Sequence, residues 1–255
     1  LLLVILLCIA MSRFKVIIQY DGTGFRGWQL QKKDRTVQGE LEKSLKKIND
    51  NKVVRVHGAG RTDTGVHATG QVAHFDLQTD LNTSELENAL NGNLPKDIRI
   101  MNCDQVSDEF HARFSAIKRH YLYRTRNNKY LLDRNYTWST EKLDLDKLNN
   151  VAKIIKGEHD FTSFSRSNKT LDHRRCIIYE SLWKEDNEIV NYHITGNRFL
   201  HHMVRYLVGT MVEVLRDKFE LEYFKELINN PSENVNIFKA PAQGLVLTKV
   251  DYAQN

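Results

Sequence analysis

Cysteine is scarce in this chain of 255 residues: Cys8, Cys103 and Cys176 stand far apart, with no CxxC spacing. That excludes a disulfide framework and a thiolate zinc site. The ten histidines are equally scattered. His201 and His202 are adjacent, and on a helix neighbours point about 100° apart, so they are not expected to share a metal. No metal and no cofactor is expected. Low-complexity segments and long linkers are missing as well. So are a nucleophile elbow and a paired-carboxylate signature, which leaves a hydrolase without support. The only long apolar run is residues 1–10. It is too short to span a bilayer, which takes about 20 residues. It also lacks the basic start and small-x-small cleavage site of a secretory signal. The expectation is that Met11 is the working start, that residues 1–10 are an upstream extension outside the fold, and that the protein is cytoplasmic and free of membrane.

What is present is a sizeable apolar fraction, 41%. It is enough for one large core or two halves of about 120 residues each. The net charge of +5 and a pI near 9.0 point to an anionic partner.

β-rich and helical stretches alternate along the chain, as a mixed α/β fold with helices packed on sheet requires. Residues 14–20 form a strand ending in a glycine cluster. Gly22-x-Gly24-x-x-Gly27 matches a dinucleotide fingerprint in form, but no helix opens at the last glycine, so a nicotinamide cofactor is rejected. Thr36 N-caps a helix to about Ile48, with Val37, Leu41, Leu45 and Ile48 on one face. Ser84 caps a second helix to about Leu90, and a strand restarts at Ile98. Residues 144–156 form a helix. Residues 177–183 and 189–194 alternate as a hairpin. Residues 199–215 carry the widest apolar stripe, residues 221–228 a last helix and residues 244–252 a final strand.

Two stretches carry chemistry. In His57-Gly58-Ala59-Gly60-Arg61-Thr62-Asp63-Thr64-Gly65-Val66-His67, glycines permit a tight turn and close approach to a ligand. Asp63 would be ionised at pH 7 and available as base or nucleophile. From Arg113 to Arg134, seven basic residues face one acid, Asp133, with Tyr121, Tyr123 and Tyr130 interleaved. Cations meeting phosphates and rings stacking on unpaired bases are what RNA asks of a protein. In a strand Tyr121 and Tyr123 share one face. The polar segment 163–175 either clasps RNA or is simply solvated. Arg205, beside an apolar stripe, either snorkels to water or is held by a buried carboxylate.

Five ordered motifs resemble those of the tRNA pseudouridine synthase A family. They are Tyr20-Asp21-Gly22-Thr23-Gly24-Phe25-Arg26-Gly27-Trp28-Gln29, the Arg61–Asp63 loop, Phe110-His111-Ala112-Arg113-Phe114-Ser115-Ala116 with Arg119-x-Tyr121-x-Tyr123, Asn197-Arg198-Phe199-Leu200-His201-His202-Met203-Val204-Arg205, and Ala240-Pro241-Ala242-x-Gly244-Leu245. One departure is His120, where the family often has a second arginine.

The resemblance implies an α+β fold of two similar ferredoxin-like halves, RRM-like in their antiparallel sheets, joined around a central RNA-binding cleft. The halves would be 11–112, with the aspartate loop, and 113–255, with the active-site Tyr, Arg and Leu. It implies a homodimeric isomerase that converts uridine to pseudouridine at positions 38, 39 and 40 in the anticodon stem-loop of tRNA. Asp63 would attack C1′ or remove the C2′ proton. Tyr121 would stack on the flipped uracil and assist removal of the C5 proton, and Arg205 would pair with Asp63. Arg61 would fill the vacated stack and contact phosphate. Leu245 would pack on the base, and Arg26, His67 and Arg119 would complete the substrate-binding set. The competing reading is a non-catalytic tRNA- or RNA-binding protein, which leaves an acid in a glycine-rich loop unexplained.

Overall fold

The computed structural model describes residues 11–127, 131–166 and 173–253; the expected extension at 1–10, Lys129, Tyr130 and the middle of the polar segment 163–175 lie outside them. The strands and helices, in chain order, are β1 (Met11–Tyr20), α1 (Val37–Ile48), β2 (His57–Gly58), β3 (His67–Gln78), α2 (Thr83–Asn93), β4 (Ile98–Val106), β5 (Ala116–Asn127), β6 (Trp138–Thr140), α3 (Leu145–Ala152), β7 (Gly157–Asp160), β8 (Arg175–Asp186), β9 (Ile189–Gly196), α4 (Met203–Leu215), α5 (Leu221–Asn229) and β10 (Leu245–Tyr252).

β1 shows why such strands form: Phe14, Val16, Ile18 and Tyr20 alternate inward, the two-residue period of a pleated strand with one buried face. α1 is capped by Thr36, whose hydroxyl accepts from the Gly39 amide. The cap of α2 differs from the expected Ser84. Asn82 caps it, and the carboxylate of Glu85 reciprocates on the Asn82 amide. That capping box satisfies two otherwise orphaned backbone donors, where Ser84 would satisfy one. The run 52–56 buries Val54 and Val56 but forms no ladder before His57.

The strands make one mostly antiparallel sheet ordered β4-β1-β3-β10-β5-β9-β8-β7, with β2 beside β3 and β6 beside β5. The join in its middle is parallel and short, Val246 opposite His67 and Leu247 opposite Ala68. Two apolar clusters sit along it. One holds β1, β3, β4, α1 and α2 residues together with Leu247 and Val250. The other holds β8, β9 and α3–α5 residues together with Val66 and Leu245. Each cluster thus reaches across the join, and Tyr121 packs against both.

Candidate active site at the sheet junction

The loop between β2 and β3 is fixed from beneath by the segment following β1. The Trp28 amide donates to the Thr62 carbonyl at 3.1 Å and the Gly65 amide to the Phe25 carbonyl at 3.3 Å. The Thr62 hydroxyl meets the Tyr20 hydroxyl at 2.8 Å, and Gln71 donates to the Gly60 carbonyl at 2.9 Å. Gly65, at φ +78°, uses the freedom that glycine brings. The loop is therefore held before any ligand arrives, as a reacting carboxylate requires.

Asp63 is the acid this loop presents, with its side chain 16% exposed. Arg205, in the first turn of α4, donates to Asp63 Oδ2 at 3.0 Å and through Nε to the Ala240 carbonyl at 2.8 Å. Of the two sequence readings of Arg205, the structure shows the carboxylate-held one. Asp63 Oδ1 is left facing His201, whose Nε2 is 3.6 Å away, and His202 Nε2 lies 3.6 Å from Oδ2.

That convergence corrects the helical reading of residues 199–215. α4 begins only at Met203, and His202 stands before it in the left-handed region at φ +66°. The two histidines are not successive helical positions, and their ring centroids are 3.9 Å apart. Asp63, His201 and His202 each bring a ligand atom within 4.8 Å of the others. The expected absence of a metal therefore cannot rest on helix geometry. What opposes a divalent cation is the charge of the Arg205 guanidinium on Oδ2. Burial depresses both imidazoles below the usual value, His202 to about 4, against the pull of Asp63. Both are neutral at pH 7.

Tyr121 lies in β5, between β10 and β9, rather than on an exposed edge. Its ring is half-buried and meets Phe199 edge-on at 5.2 Å. Burial, then the neighbouring Tyr20 and Asp63, push its phenol well above the ordinary range, so it stays protonated. Tyr123, on the same face, is wholly buried and donates to the Pro241 carbonyl, a core role. Leu245 opens β10 opposite Tyr123 and is buried in the second cluster. Arg61 is exposed beside the site.

Of three further residues expected to bind substrate, His67 and Arg119 are engaged within the protein and Arg26 is exposed. His67 is buried; its Nδ1 accepts from the Gly22 amide at 3.0 Å and its Nε2 faces the Asn135 carbonyl at 2.9 Å. Both nitrogens are occupied in holding loops together. Arg119 donates to the carbonyls of Ala116, Asn197, Ala59 and Arg113 at 2.7–3.4 Å, which makes it a backbone clamp. Arg26 is on the surface, 3.7 Å from Asp34. His120 is engaged by Asp251 at 2.7 Å and Thr195 at 3.0 Å. The run from Arg113 to Arg134 is thus dispersed: Arg126 pairs with Asp133 and Glu188, and Lys118 lies over the Tyr179 ring.

An arginine-held aspartate on a preformed loop, beside a protonated tyrosine at a sheet junction, defines an enzyme site rather than a docking face. The family described as tRNA pseudouridine synthase matches residues 16–115 and 151–253. The chain belongs to that family of isomerases. It is 44% identical to the tRNA pseudouridine synthase A of Dictyoglomus thermophilum over 95% of this chain and 100% of that one. It is 40% identical to the protein of the same name from Listeria monocytogenes serovar 1/2a over the same shares. To that of Maridesulfovibrio salexigens it is 41% identical, over 96% of this chain and 92% of that one. Among the described residues no helix is long and apolar enough to cross a membrane.

Proposed function

We propose that the protein isomerises uridine to pseudouridine at positions 38, 39 and 40 in the anticodon arm of tRNA. The observation that carries this is the Asp63–Arg205 pair beside Tyr121, in a chain of the tRNA pseudouridine synthase family. The N1–C1′ bond breaks, the freed uracil turns, and C5 bonds to C1′. The C5 proton leaves and N1 gains one, so no oxidant, reductant or cofactor is consumed.

A stacked base must leave its helix first, at a cost of about 2–4 kcal/mol. Arg61, exposed beside the loop, fills the vacated space. Asp63 Oδ1, which Arg205 leaves free, meets the sugar, attacking C1′ or taking the C2′ proton. Arg205 orients the carboxylate and offsets its charge. Tyr121 supplies a ring for the uracil, and its hydroxyl assists removal of the C5 proton. Leu245 closes the apolar side of the pocket, and Arg26 is the outlying contact. His67 and Arg119 support the site through the loops they join. The halves 11–112 and 113–255 each contribute, the first Asp63 and the second Tyr121 and Arg205. A cytoplasmic homodimer on one tRNA completes this reading.

The test is tritium release from tRNA carrying 5-tritiated uridine, by the chain from Met11 and by its Asp63→Asn variant. Release that vanishes in the variant, with tRNA binding intact or tighter, supports the reading. Binding without release by either protein favours the non-catalytic RNA-binding reading.

A further inference from the structure

Arg205 sits on the Asp63 carboxylate, and three further cations bear on His201, which faces it. Arg61, Arg166 and Lys239 are exposed, and among the described residues none of the three has an ion-pair partner. Their setting at the site is fixed by backbone. The Arg166 amide donates to the His201 carbonyl at 3.1 Å, and the Ala240 amide, next to Lys239, donates to the Arg205 carbonyl at 3.0 Å. The Lys239 ammonium stands 6.0 Å from the Tyr206 ring centroid. Behind burial and the opposing pull of Asp63, the fields of Arg166, Lys239 and Arg61 all bear on His201. With both imidazoles neutral, these four cations leave Asp63 and its surroundings a surplus of three positive charges.

Three cations beside α1 are spent. Arg35 is bound by Asp97 at 2.7 Å, and Arg55 by Glu42 at 3.1 Å. Lys43 is bound by Glu40 at 3.0 Å, although all three line one open groove beside α1. Cations held by acids have no free charge to offer an incoming anion. The cations around Asp63 are left free where an acid would otherwise repel a polyanion.

We propose that Arg166 and Lys239 are positioning residues that grip the phosphates flanking the target nucleotide, with Arg61 as the third member of the set. This rests on the tRNA reading above. Arg166 offers a planar fork to phosphate oxygens and Lys239 a point charge. Their grip outweighs the repulsion between Asp63 and the backbone and fixes the sugar over Oδ1.

The experiment measures tRNA binding against salt, and kcat and KM for C5 proton release, in wild type, Arg166→Gln, Lys239→Gln and the double variant. Arg166→Lys tests whether charge alone suffices, and Arg55→Gln serves as the paired-cation control. Each Gln variant should bind tRNA roughly 3–10-fold more weakly, and the slope of log K on log salt should fall by about 0.7–0.9 per lost phosphate contact. KM should rise with kcat at saturation held, and Arg166→Lys should recover most of the affinity. Both side chains are exposed and, among the described residues, without an ion-pair partner, so melting temperatures should not move. A double variant with wild-type affinity and slope overturns the proposal, as does a fall in kcat with KM and slope unmoved. An equal loss in Arg55→Gln also overturns it. A wild-type chain that binds tRNA yet releases no C5 proton overturns the isomerase reading instead, and the salt slopes still decide this one.

Discussion

Arg205 and Asp63 stand 142 positions apart in the chain and meet at 3.0 Å, while the Nε of the same guanidinium is bound to the Ala240 carbonyl. One planar group therefore sets both the charge and the orientation of the acid. Arg205→Met should lower turnover by about 100-fold, as the loss of a preorganised electrostatic partner does. Arg205→Lys should recover little, because an ammonium does not reproduce a fixed fork between two acceptors. Single-turnover tritium release at saturating tRNA checks both.

Arg119 separates two roles that sequence alone merges. Its four carbonyl acceptors predict that Arg119→Met loses roughly 2–4 kcal/mol of stability, or about 10 °C in melting temperature. The salt slope of tRNA binding should not change. A retained melting temperature with a slope reduced by about one would instead make it a phosphate contact.

Gly27 sits at φ +90°, and a Cβ there would lie 2.6 Å from the Thr62 carbonyl oxygen. Gly27→Ala should cost about 2–4 kcal/mol from strain and overpacking together. It should also slow C5 proton release in the folded variant, since the atoms pushed are those that hold Asp63. Denaturant unfolding and a rate measured below the transition distinguish the two effects.

The phenol of Tyr121 makes no hydrogen bond among the described residues, whereas its ring touches both apolar clusters. Tyr121→Phe should melt within about 0.5 kcal/mol of wild type and keep its tRNA affinity while releasing the C5 proton more slowly. Tyr121→Ala should lose affinity and stability together. An unchanged rate in the Phe variant would leave the ring as the whole contribution.

Acid should unfold this protein earlier than its carboxylates alone dictate. Burial, then the nearby His111, Arg13 and His57, drop His74 from 6.5 to about 4; His202 falls as far, with burial first. Depressed imidazoles take protons in the unfolded chain before the folded one does. Stability is therefore fully present above pH 6.5 and is lost as pH falls from 6.5 towards 4. Melting temperature should drop by more than about 5 °C across that window. His74→Gln should flatten the dependence if it folds; otherwise a histidine NMR titration of wild type reads the same depression directly.

Local chemistry was legible. The Thr36 cap, the alternation of β1 and the apolar face of α1 follow from nearest-neighbour rules, and the structure shows all three. The Asp63–Arg205 pairing came from family resemblance, because no periodicity links residues in separate elements. What stayed hidden depends on distant partners or on unusual backbone. His67 is committed to Gly22 and Asn135, and the left-handed His202 breaks the helix pattern that the apolar stripe suggests. Arg166 lies in the polar segment that reads as either clasping RNA or solvated, and Lys239 reads as an ordinary charge, until the fold brings both to bear on His201. The signal available beforehand was that neither has an acid at helical or cross-strand spacing.

The parallel join between β3 and β10 has a consequence for synthesis. A ribosome completes Asp63, Tyr121 and Arg205 before it has made residues 245–252. Until that last strand inserts between β3 and β5, the first half lacks Leu247 and Val250, and β3 has only the two-residue β2 on that side. The acid and its arginine then belong to two unjoined pieces. A nascent chain therefore carries every reacting group before the strand that joins their two supports, and its activity should rise once residues 245–252 are in place.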